Sequence, residues 1–293
     1  LFVGITAYVL SKIKGLPFVF EIRDLWPESA IDTGVLKNKL IIKFAYLFEG
    51  FMYKRATLIN VLTPAFKDKL ISIKNVPQKK VILIPNAADF NLAEKIEKDY
   101  SFSASTFKKE LGLENKFVIT YVGAHGVANH LIQLIDAAEK LQNTEIVFQL
   151  IGSGMRKEFL KNEVIKRNLV NVIFRDPVPK SEVFKYILAS DAGTSVLKNV
   201  EAFKTIYSNK TFDYMSCKKP ILVIIDGVSR ELVETAKCGI FAEPENPLSI
   251  ANISVELSTL EKGNLTQMGL NGYNYAREYF DRVKLSKKYI QEI

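Results

Sequence analysis

The segment Tyr207–Leu222, YSNKTFDYMSCKKPIL, holds the residue types that most directly suggest anion chemistry. Either of the two residues before Lys210 is a good helix N-cap, which leaves the backbone amides of Lys210 and Thr211 free to donate hydrogen bonds to an anion. Lys210 adds a positive charge where a diphosphate would lie. Asp213, one turn into the helix, could accept hydrogen bonds from both hydroxyls of a ribose. The alternative is a capped helix packed by its aromatic residues, with Lys210 in solvent.

Two glycine-containing turns follow predicted strands. Gly123 and Gly126 come after FVITYV, and they allow a phosphate to approach the start of the next helix, although such glycines also serve turn geometry alone. After EIVFQLI, Gly152–Gly154 precede Arg156 and Lys157. Cations at a helix N-terminus oppose the macrodipole, and a bound anion would offset that cost. The alternative is a solvated basic helix start.

Polar and aromatic residues also follow a strand in the first half of the chain. The run FEIRDLWPES places Arg23, Asp24 and Trp26 just past a strand end. A tryptophan beside carboxylates and an arginine is typical of sugar-binding clefts, whereas a lone tryptophan is more often part of a core. LIPNAADF likewise places Asn86 and Asp89 at a strand end, where polar side chains also cap turns.

The composition is that of an ordinary globular protein. The chain has 293 residues, 48% of them hydrophobic and 25% charged, and its length predicts two domains. The net charge of +8 is compatible with nucleic acid, a phosphorylated small molecule or an anionic membrane surface as partner. No run of about 18 uncharged apolar residues occurs, so no segment is predicted to span a bilayer. The two cysteines offer no disulfide framework and suit a reducing cytoplasm.

Short β-rich runs alternate with amphipathic stretches, which predicts an α/β fold with parallel sheets and helices on both faces. The first strands are Val19–Ile22, Leu58–Leu62 and Val81–Ile84; a second set follows a change of composition near residue 100, the predicted domain boundary. Ligands of such sheets lie beyond the carboxyl ends of the strands, where the strand order reverses. The second set of strands is FVITYV, EIVFQLI, NVIFR, DAGTSV and PILVII.

The segment between the first two strands has helical periodicity. Leu40, Phe44, Leu47 and Phe51 recur on one face, which predicts a helix. The aromatic and basic stretch Lys43–Arg55 could lie on an anionic leaflet. A helix that faces the core with its lysines outside is the favoured interpretation.

The chain opens inside an apolar segment without an initiating methionine. Lys12 and Lys14 follow that apolar run and a strand comes next, which is not the order of a signal peptide. We therefore expect Leu1–Lys14 to be a helix of a Rossmann-like domain whose earlier strands precede the chain.

Taken in order, these motifs resemble those of family 4 glycosyltransferases, a retaining group with the GT-B fold. PFVFEIRDLWPESAIDTG resembles a subgroup that builds bacterial surface polysaccharides, such as O-antigen and capsule aminosugar transferases. LIPNAAD is similar to the IPNGVD signature, and YVGAHGVANHLIQLIDAAEKL to the opening of the nucleotide-binding domain. QLIGSGMRKEF resembles its glycine-rich turn, and NKTFDYMSCKKPIL is similar to SKLFEYMAAGKPVI, the pyrophosphate and ribose loop. MGLNGYNYAREYFD resembles the helix that crosses back to the first domain.

The resemblance implies two Rossmann-like domains that face each other, the first incomplete at its N-terminus. Residues 1–100 would form the acceptor-side domain, 101–275 the nucleotide-sugar domain, and 276–293 the helix that crosses back. Asp24 and Arg23 would face the transferred sugar and the acceptor, and with Lys210 they are the predicted catalytic residues. The donor-binding residues carried over are Gly123, Gly126, Arg156, Lys157, Val178, Lys210, Thr211 and Asp213.

Three positions depart from the family pattern. Thr205 stands where the family has the first of two acids eight residues apart. Val127–Asn129 lack the basic residue that often follows the first glycine turn. Lys218 replaces the glycine before the Lys-Pro step.

The resemblance implies transfer of a sugar from a nucleotide-sugar, a UDP-sugar, to a lipid-linked or glycan acceptor with retention, in surface polysaccharide biosynthesis. Helix-start amides, Lys210 and either Arg156 or Lys157 would stabilise the leaving diphosphate without a metal. No Asp-x-Asp occurs, and no cofactor is expected. We expect a cytoplasmic protein, for which a lipid-linked acceptor is compatible with peripheral contact at the inner face of the plasma membrane. Nucleic acid is not an expected partner.

Two alternatives stay open. A sugar-nucleotide epimerase of related fold would need acid and base residues, and the only histidines are His125 and His130. His125, in the first glycine turn, could touch phosphate, although a loop position in solvent is the favoured interpretation. The second alternative is a non-catalytic basic binder of nucleic acid or membrane, which steep salt dependence of nucleic-acid binding would indicate.

Overall fold

The computed structural model describes residues 2–293, and for Phe2 only the backbone. The chain divides into two compact units. The first comprises Leu1–Asn86, Val200–Tyr207 and Arg282–Ile293, and the second Ala87–Asn199 and Ser208–Asp281. Residues 200–207 belong to the first unit. The predicted domains, with boundaries at residues 100 and 275, place this segment in the second domain.

The first unit is built on three parallel strands in the order β1-β2-β3. The strands β1 (Val19–Ile22), β2 (Leu58–Val61) and β3 (Val81–Leu83) occur where the sequence predicts them. Its helices are α1 (Phe2–Lys14), α2 (Glu28–Asp32), α3 (Lys39–Arg55), α4 (Pro64–Ser72) and α14 (Arg282–Glu292), with 3₁₀ turns at Gln78–Lys80 and Glu201–Thr205.

N-cap residues begin two helices of this unit, α3 and α4. Asn38 caps α3 by accepting hydrogen bonds from the amides of Leu40 and Ile41. Thr63 caps α4 in the same way at the amide of Phe66, and Pro64 occupies the first turn, where its missing N–H costs nothing. These caps fix the residues at which α3 and α4 begin.

The apolar face predicted for α3 is on the outside of the unit in the described structure. Phe44 is 76% exposed and Leu47 is 63% exposed, whereas Ala45 and Met52 are buried. The favoured interpretation, a helix whose Leu40–Phe51 face packs on the core, is therefore wrong. Periodicity identified which residues share a face, and the opposite face is the one that packs.

The second unit contains a sheet of six parallel strands in the order β6-β5-β4-β7-β8-β9. The helices α5 to α13 connect and flank these strands. The strands are β4 (Phe117–Val122), β5 (Ile146–Ile151), β6 (Val172–Arg175), β7 (Ala192–Val196), β8 (Ile221–Ile224) and β9 (Gly239–Phe241). The helices are α5 (Phe90–Glu97), α6 (Ala104–Glu110), α7 (Ile132–Lys140), α8 (Lys157–Lys166), α9 (Lys180–Ala189), α10 (Asn209–Ser216), α11 (Val228–Thr235), α12 (Pro247–Thr259) and α13 (Lys262–Tyr279).

The core of this unit lies where the sheet meets its helices. Every residue of β5 is buried, as expected for a central parallel strand covered on both faces. Phe148 and Leu150 pack with Leu134 of α7 and Ile250 of α12 in one cluster. Each such side chain contributes about 1.5–3 kcal/mol by leaving water. This packing holds the strand ends, and the loops that follow them, in place.

The strand order reverses between β4 and β7. β4 is followed by β5 and β6 on one side, and the chain then returns to place β7 on the other side of β4. In open parallel sheets the crevice at such a switch point is where ligands bind. The predicted strands of this unit all occur, and β9 is an additional strand that the sequence did not reveal.

Among residues 2–293, no helix has the length and apolar character needed to cross a membrane.

Candidate functional site

The two glycine turns pack directly on each other at the carboxyl ends of β4 and β5. The amide of His125 donates to the Ser153 carbonyl at 2.8 Å, and the amide of Arg156 donates to the His125 carbonyl at 2.9 Å. The turn after β4 and the start of α8 are thereby fixed relative to one another. This rigid pair of turns forms one wall of the switch-point crevice.

Gly152 and Gly154 make that close approach possible. Their φ angles are +144° and +155°, a region that side-chain-bearing residues rarely adopt. A Cβ atom on Gly152 would lie 2.0 Å from the Gly123 carbonyl oxygen, and one on Gly154 would lie 2.6 Å from the His125 carbonyl oxygen. The glycines of the second turn are therefore required by packing between the two turns.

Lys210 lies against the first glycine turn. A Cβ atom on Gly123 would be 3.3 Å from Lys210 Cε, and Lys210 Nζ lies 4.9 Å from the centroid of the Tyr121 ring. Among the described residues, no carboxylate pairs with Lys210 at ion-pair distance. Desolvation lowers the pKa of Lys210 to about 8, and the negative charge of Asp213 opposes that shift. A half-buried ammonium without an ion pair is well suited to receive an anion.

Thr211 does not offer a free amide. Its N–H donates to the Ser208 carbonyl at 3.0 Å, and its buried hydroxyl lies 2.8 Å from the Ser195 hydroxyl. The prediction of a free Thr211 amide is therefore wrong. Ser208 is the N-cap residue of α10, and within residues 2–293 its side chain makes no capping hydrogen bond. Because the backbone occupies the Thr211 N–H, the first turn of α10 offers one donor fewer to a ligand than the sequence suggests.

Asp213 points towards α9. Its Oδ1 lies 3.4 Å from Lys180 Nζ, and the same ammonium lies 3.5 Å from Asp89 Oδ2. Lys180 thus links the predicted ribose acid to the strand-end motif LIPNAADF. Val178, which the resemblance aligns with the base contact, is half-buried two residues before Lys180.

Lys157 is buried and satisfied by the protein itself. Its Nζ donates to the carbonyls of Gly152 and Arg175 at 2.8 and 3.0 Å, and pairs with Asp176 at 2.8 Å. The ammonium therefore ties the ends of β5 and β6 together. This geometry does not support the prediction that Lys157 binds the diphosphate of the donor.

Arg156 is exposed, unlike its neighbour Lys157. Its guanidinium stacks on the Phe159 ring with 3.9 Å between Cζ and the ring centroid, and it lines a pocket of about 220 Å³ together with Gly126. Stacking on an aromatic face leaves the edge of the guanidinium available to donate. Of the two cations at this helix start, Arg156 keeps a geometry compatible with an anion.

His125 is fully buried, so the favoured interpretation of a loop histidine in solvent is wrong. In the described part of the chain neither ring nitrogen has a hydrogen-bond partner, and the ring packs between Tyr121 and Phe174. Desolvation, with Lys157 adding to it, lowers the pKa of His125 to about 4. The neutral ring therefore helps to fill the space beneath the first glycine turn.

The first unit carries its own candidate site. A pocket of about 390 Å³ at the end of β1 is lined by Arg23, Asp24 and Trp26. Asp24 accepts a hydrogen bond from the Ser29 hydroxyl at 2.8 Å, and Arg23 donates to Asn86 at 3.4 Å. The tryptophan is half-buried beside the two charged residues, an arrangement compatible with contact to a sugar.

Lys180 and Lys198 are not among the site residues predicted from the sequence. Each follows a strand end of the second unit, and Lys198 lies two residues past β7, at the switch point. The rule that ligands lie beyond strand ends would have identified both residues. Among residues 2–293, no three His, Cys, Asp or Glu side chains form a group that could hold a metal ion.

Comparison with known proteins identifies the family. The family model described as glycosyl transferases group 1 matches residues 103–275, which is more than half of the chain. The chain belongs to this family. WcaI of Escherichia coli (strain K12), provisionally named a colanic acid biosynthesis glycosyl transferase, is 24% identical over 170 residues, which cover 57% of this chain and 41% of that relative. WbjE of Pseudomonas aeruginosa, named a probable glycosyltransferase, is 21% identical over 261 residues, which cover 88% of this chain and 64% of WbjE.

The fold matches a solved GT-B glycosyltransferase structure. The crystal structure of Anabaena HepE in complex with UDP and glucose superposes with a TM-score of 0.81 at 18% sequence identity, covering 98% of this chain and 74% of HepE. The predicted fold class, α/β with parallel sheets as in GT-B glycosyltransferases, is confirmed. The chain spans less than two thirds of the length of both curated relatives.

Proposed function

We propose that this glycosyltransferase moves a sugar from a UDP-sugar to a lipid-linked or glycan acceptor, with retention, in surface polysaccharide biosynthesis. The family supplies the reaction class. The single observation that carries the proposal is the half-buried Lys210 against the Gly123 turn, at the switch point of the six-stranded sheet. We keep the assignment to family 4 and to its aminosugar subgroup as part of this proposal.

The chemistry follows from the charge that develops in the reaction. The bond between the anomeric carbon and the diphosphate oxygen breaks, so negative charge grows on the leaving diphosphate. Preorganised donors aimed at that charge lower the barrier, and removing one such donor from an enzyme typically costs a factor of about 10² to 10³ in rate. Lys210 and Arg156 are the donors of this chain that fit the role, and the proposal requires no metal.

One observation supports a uridine nucleotide as donor, and a second supports a nucleotide diphosphate in general. HepE, whose fold this chain shares, has been crystallised with UDP and with UDP-glucose. In this chain Asp213 lies one turn into α10, three residues beyond Lys210, so one helix would present both a cation and an acid to a nucleotide diphosphate. We propose that Asp213 accepts from the ribose hydroxyls and that Val178 borders the base.

In the first unit, we propose that Asp24 and Arg23 face the transferred sugar and the acceptor. The pocket they line with Trp26 combines charged and aromatic side chains, which suits a sugar ring. The family membership favours sugar transfer over the epimerase alternative. The sequence has only two histidines, which also disfavours an epimerase because that reaction needs acid and base residues.

The test is release of nucleotide from a panel of UDP-, GDP- and ADP-sugars, with and without crude lipid-linked glycan as acceptor. We expect UDP release from at least one UDP-sugar, and a loss of about 10²-fold or more in kcat/KM for Lys210→Ala. Lys140→Ala, on the exposed end of α7, is the matched control and should keep full activity. Wild-type rates in Lys210→Ala, or activity with GDP- or ADP-sugars alone, would refute the proposal.

A lipid-linked acceptor is compatible with the exposed face of α3. Phe44 and Leu47 project outward among lysines, the composition of a helix that lies on an anionic leaflet. We propose that this face touches the membrane surface. Co-sedimentation with phosphatidylglycerol vesicles should fall several-fold in the double variant Phe44→Ser, Leu47→Ser and should be unchanged in Ile73→Ser, an exposed apolar control. Equal binding by all three proteins would contradict this contact.

A further inference from the structure

The pocket beside the first glycine turn contains a cation that the family pattern does not predict. This pocket of about 220 Å³ is lined by Gly126 and Val127 of the turn, by Arg156 and Phe159 of α8, and by Lys198 from the end of β7. Gly126 and Arg156 are already candidates for the donor site. Lys198 reaches the same pocket from the other strand of the switch point.

The backbone around Lys198 is held at three consecutive residues. The Leu197 carbonyl accepts from Gln133 Nε2 at 3.1 Å, the Lys198 amide donates to the Ala128 carbonyl at 2.8 Å, and the Asn199 amide donates to Glu245 Oε1 at 3.0 Å. Gln133 is itself buried. A long flexible side chain gains precision when its backbone is fixed in this way, because less entropy is lost on binding.

Two cations face this pocket without a carboxylate partner. Among the described residues, neither Arg156 nor Lys198 forms an ion pair, although Lys180 and Lys157 nearby in the same unit both do. The pKa of His130, which also lines the pocket, is lowered by desolvation; Glu245 and Asp136 oppose that shift, and Lys198 and Arg156 add to it. Both cations thus act on the same residue of the pocket. Like charges gathered in one pocket cost free energy that a bound anion would recover.

The position of Lys198 matches a gap in the family pattern. Val127–Asn129 stand where a basic residue often follows the first glycine turn, and the Lys198 amide is hydrogen-bonded to the middle residue of that stretch. A strand from the other side of the switch point thus brings a lysine to the place where the usual cation is absent. We propose that Lys198, together with Arg156, binds a phosphoryl group of the donor's diphosphate.

This inference rests on the proposed function and names a further residue for it. The competing explanation is that the Lys198 stem merely covers apolar surface, as long side chains often do. Methionine would serve that purpose as well as lysine, whereas only a cation binds phosphate. Lys198→Met and Lys198→Arg therefore separate the two explanations.

Calorimetric titration with UDP and with uridine is the experiment. We expect Lys198→Met to weaken UDP binding by about 10- to 100-fold, the usual effect of removing a charged hydrogen bond, while uridine affinity changes by less than about twofold. Lys198→Arg should keep UDP affinity within about threefold, since arginine retains the charge. Lys140→Met is the matched control, and melting temperatures of all variants establish that they are folded.

The outcomes separate this inference from the proposed function. Should UDP bind wild type and lose affinity in Lys210→Ala but not in Lys198→Met, Lys198 is a surface residue and the inference is wrong. Equal weakening of UDP and uridine in Lys198→Met would also overturn it, because a purely structural role predicts that result. Failure of the wild-type protein to bind UDP would remove the proposed function and the inference together.

Discussion

Nucleotide binding should depend on pH through Lys210. The pKa of this lysine is about 8 in the unliganded protein, because desolvation disfavours its charged form. A bound diphosphate stabilises the ammonium and raises that pKa, so the protonated form is the one that binds. Affinity is then fully present below pH 8 and is lost as the pH rises above it.

The magnitude follows from the protonated fraction. With a pKa of about 8, the fraction falls roughly tenfold between pH 7 and pH 9. A lysine with an ordinary pKa of about 10.4 would lose only a few per cent over that range. The second ionisation of a phosphate, near pH 6, is about nine-tenths complete at pH 7 and adds little slope. UDP should therefore bind about tenfold more weakly at pH 9 than at pH 7.

Calorimetric titration at several pH values measures this slope, and repeating it at pH 8 in two buffers counts the protons exchanged. We expect uptake of about half a proton per UDP at pH 8, since half of the lysines are then neutral. Lys210→Arg should bind with no slope because arginine stays charged, and Lys210→Met should bind about 10- to 100-fold more weakly with no slope.

Stability supplies the control for folding. In the unfolded chain Lys210 holds its proton up to its ordinary pKa, so the unfolded state binds more protons between about pH 8 and pH 10.4. Below pH 8 the buried ammonium therefore lowers the free energy of unfolding by its full desolvation cost. Lys210→Met removes that cost, so this variant should melt at a higher temperature than wild type at pH 7. A flat pH profile in wild type, with no proton uptake, would refute the placement of Lys210 at the diphosphate.

Three further predictions concern the residues around Lys210. Lys157→Met should lower the free energy of unfolding by about 2–4 kcal/mol in urea, because two strand-end carbonyls lose a charged donor, and Lys161→Met on the same helix should change it little. Gly152→Ala should lower the free energy of unfolding by more than about 3 kcal/mol or prevent folding, since the new Cβ meets the Gly123 carbonyl. Gly263→Ala is the control, because a Cβ atom there meets nothing within 4 Å. Equal melting temperatures of the two variants would contradict the packing of the two turns. Asp213→Asn should weaken uridine and UDP alike, by about tenfold, because its proposed contact is the ribose; a selective loss of UDP would contradict that assignment.

Most of the fold could be predicted because local sequence patterns indicate its strands and the starts of its helices. β5 is a continuous apolar run, and caps such as Thr63 stand directly before their helices. β9 was missed because three half-buried residues carry too little signal. The outward orientation of Phe44 could not be predicted either, since periodicity shows which residues share a face and not what covers it.

The site was predictable at the level of loops and less so at the level of single side chains. Gly123 follows β4 as the sequence predicts, and the structure places Lys210 beside it. Arg156 and Lys157 are neighbours of similar charge, and the partners that hold Lys157 inward include Arg175 and Asp176, which are distant from it in sequence. His125 is buried by the close approach of the second glycine turn, a tertiary contact that its own surroundings in the sequence do not reveal.

A crystal structure of the protein with UDP tests the central claim most directly. We predict diphosphate oxygens within hydrogen-bond distance of Lys210 Nζ, beside the Gly123–Gly126 turn, with the ribose at Asp213. Density for UDP at any other place in the second unit, with Lys210 still unoccupied, would contradict it.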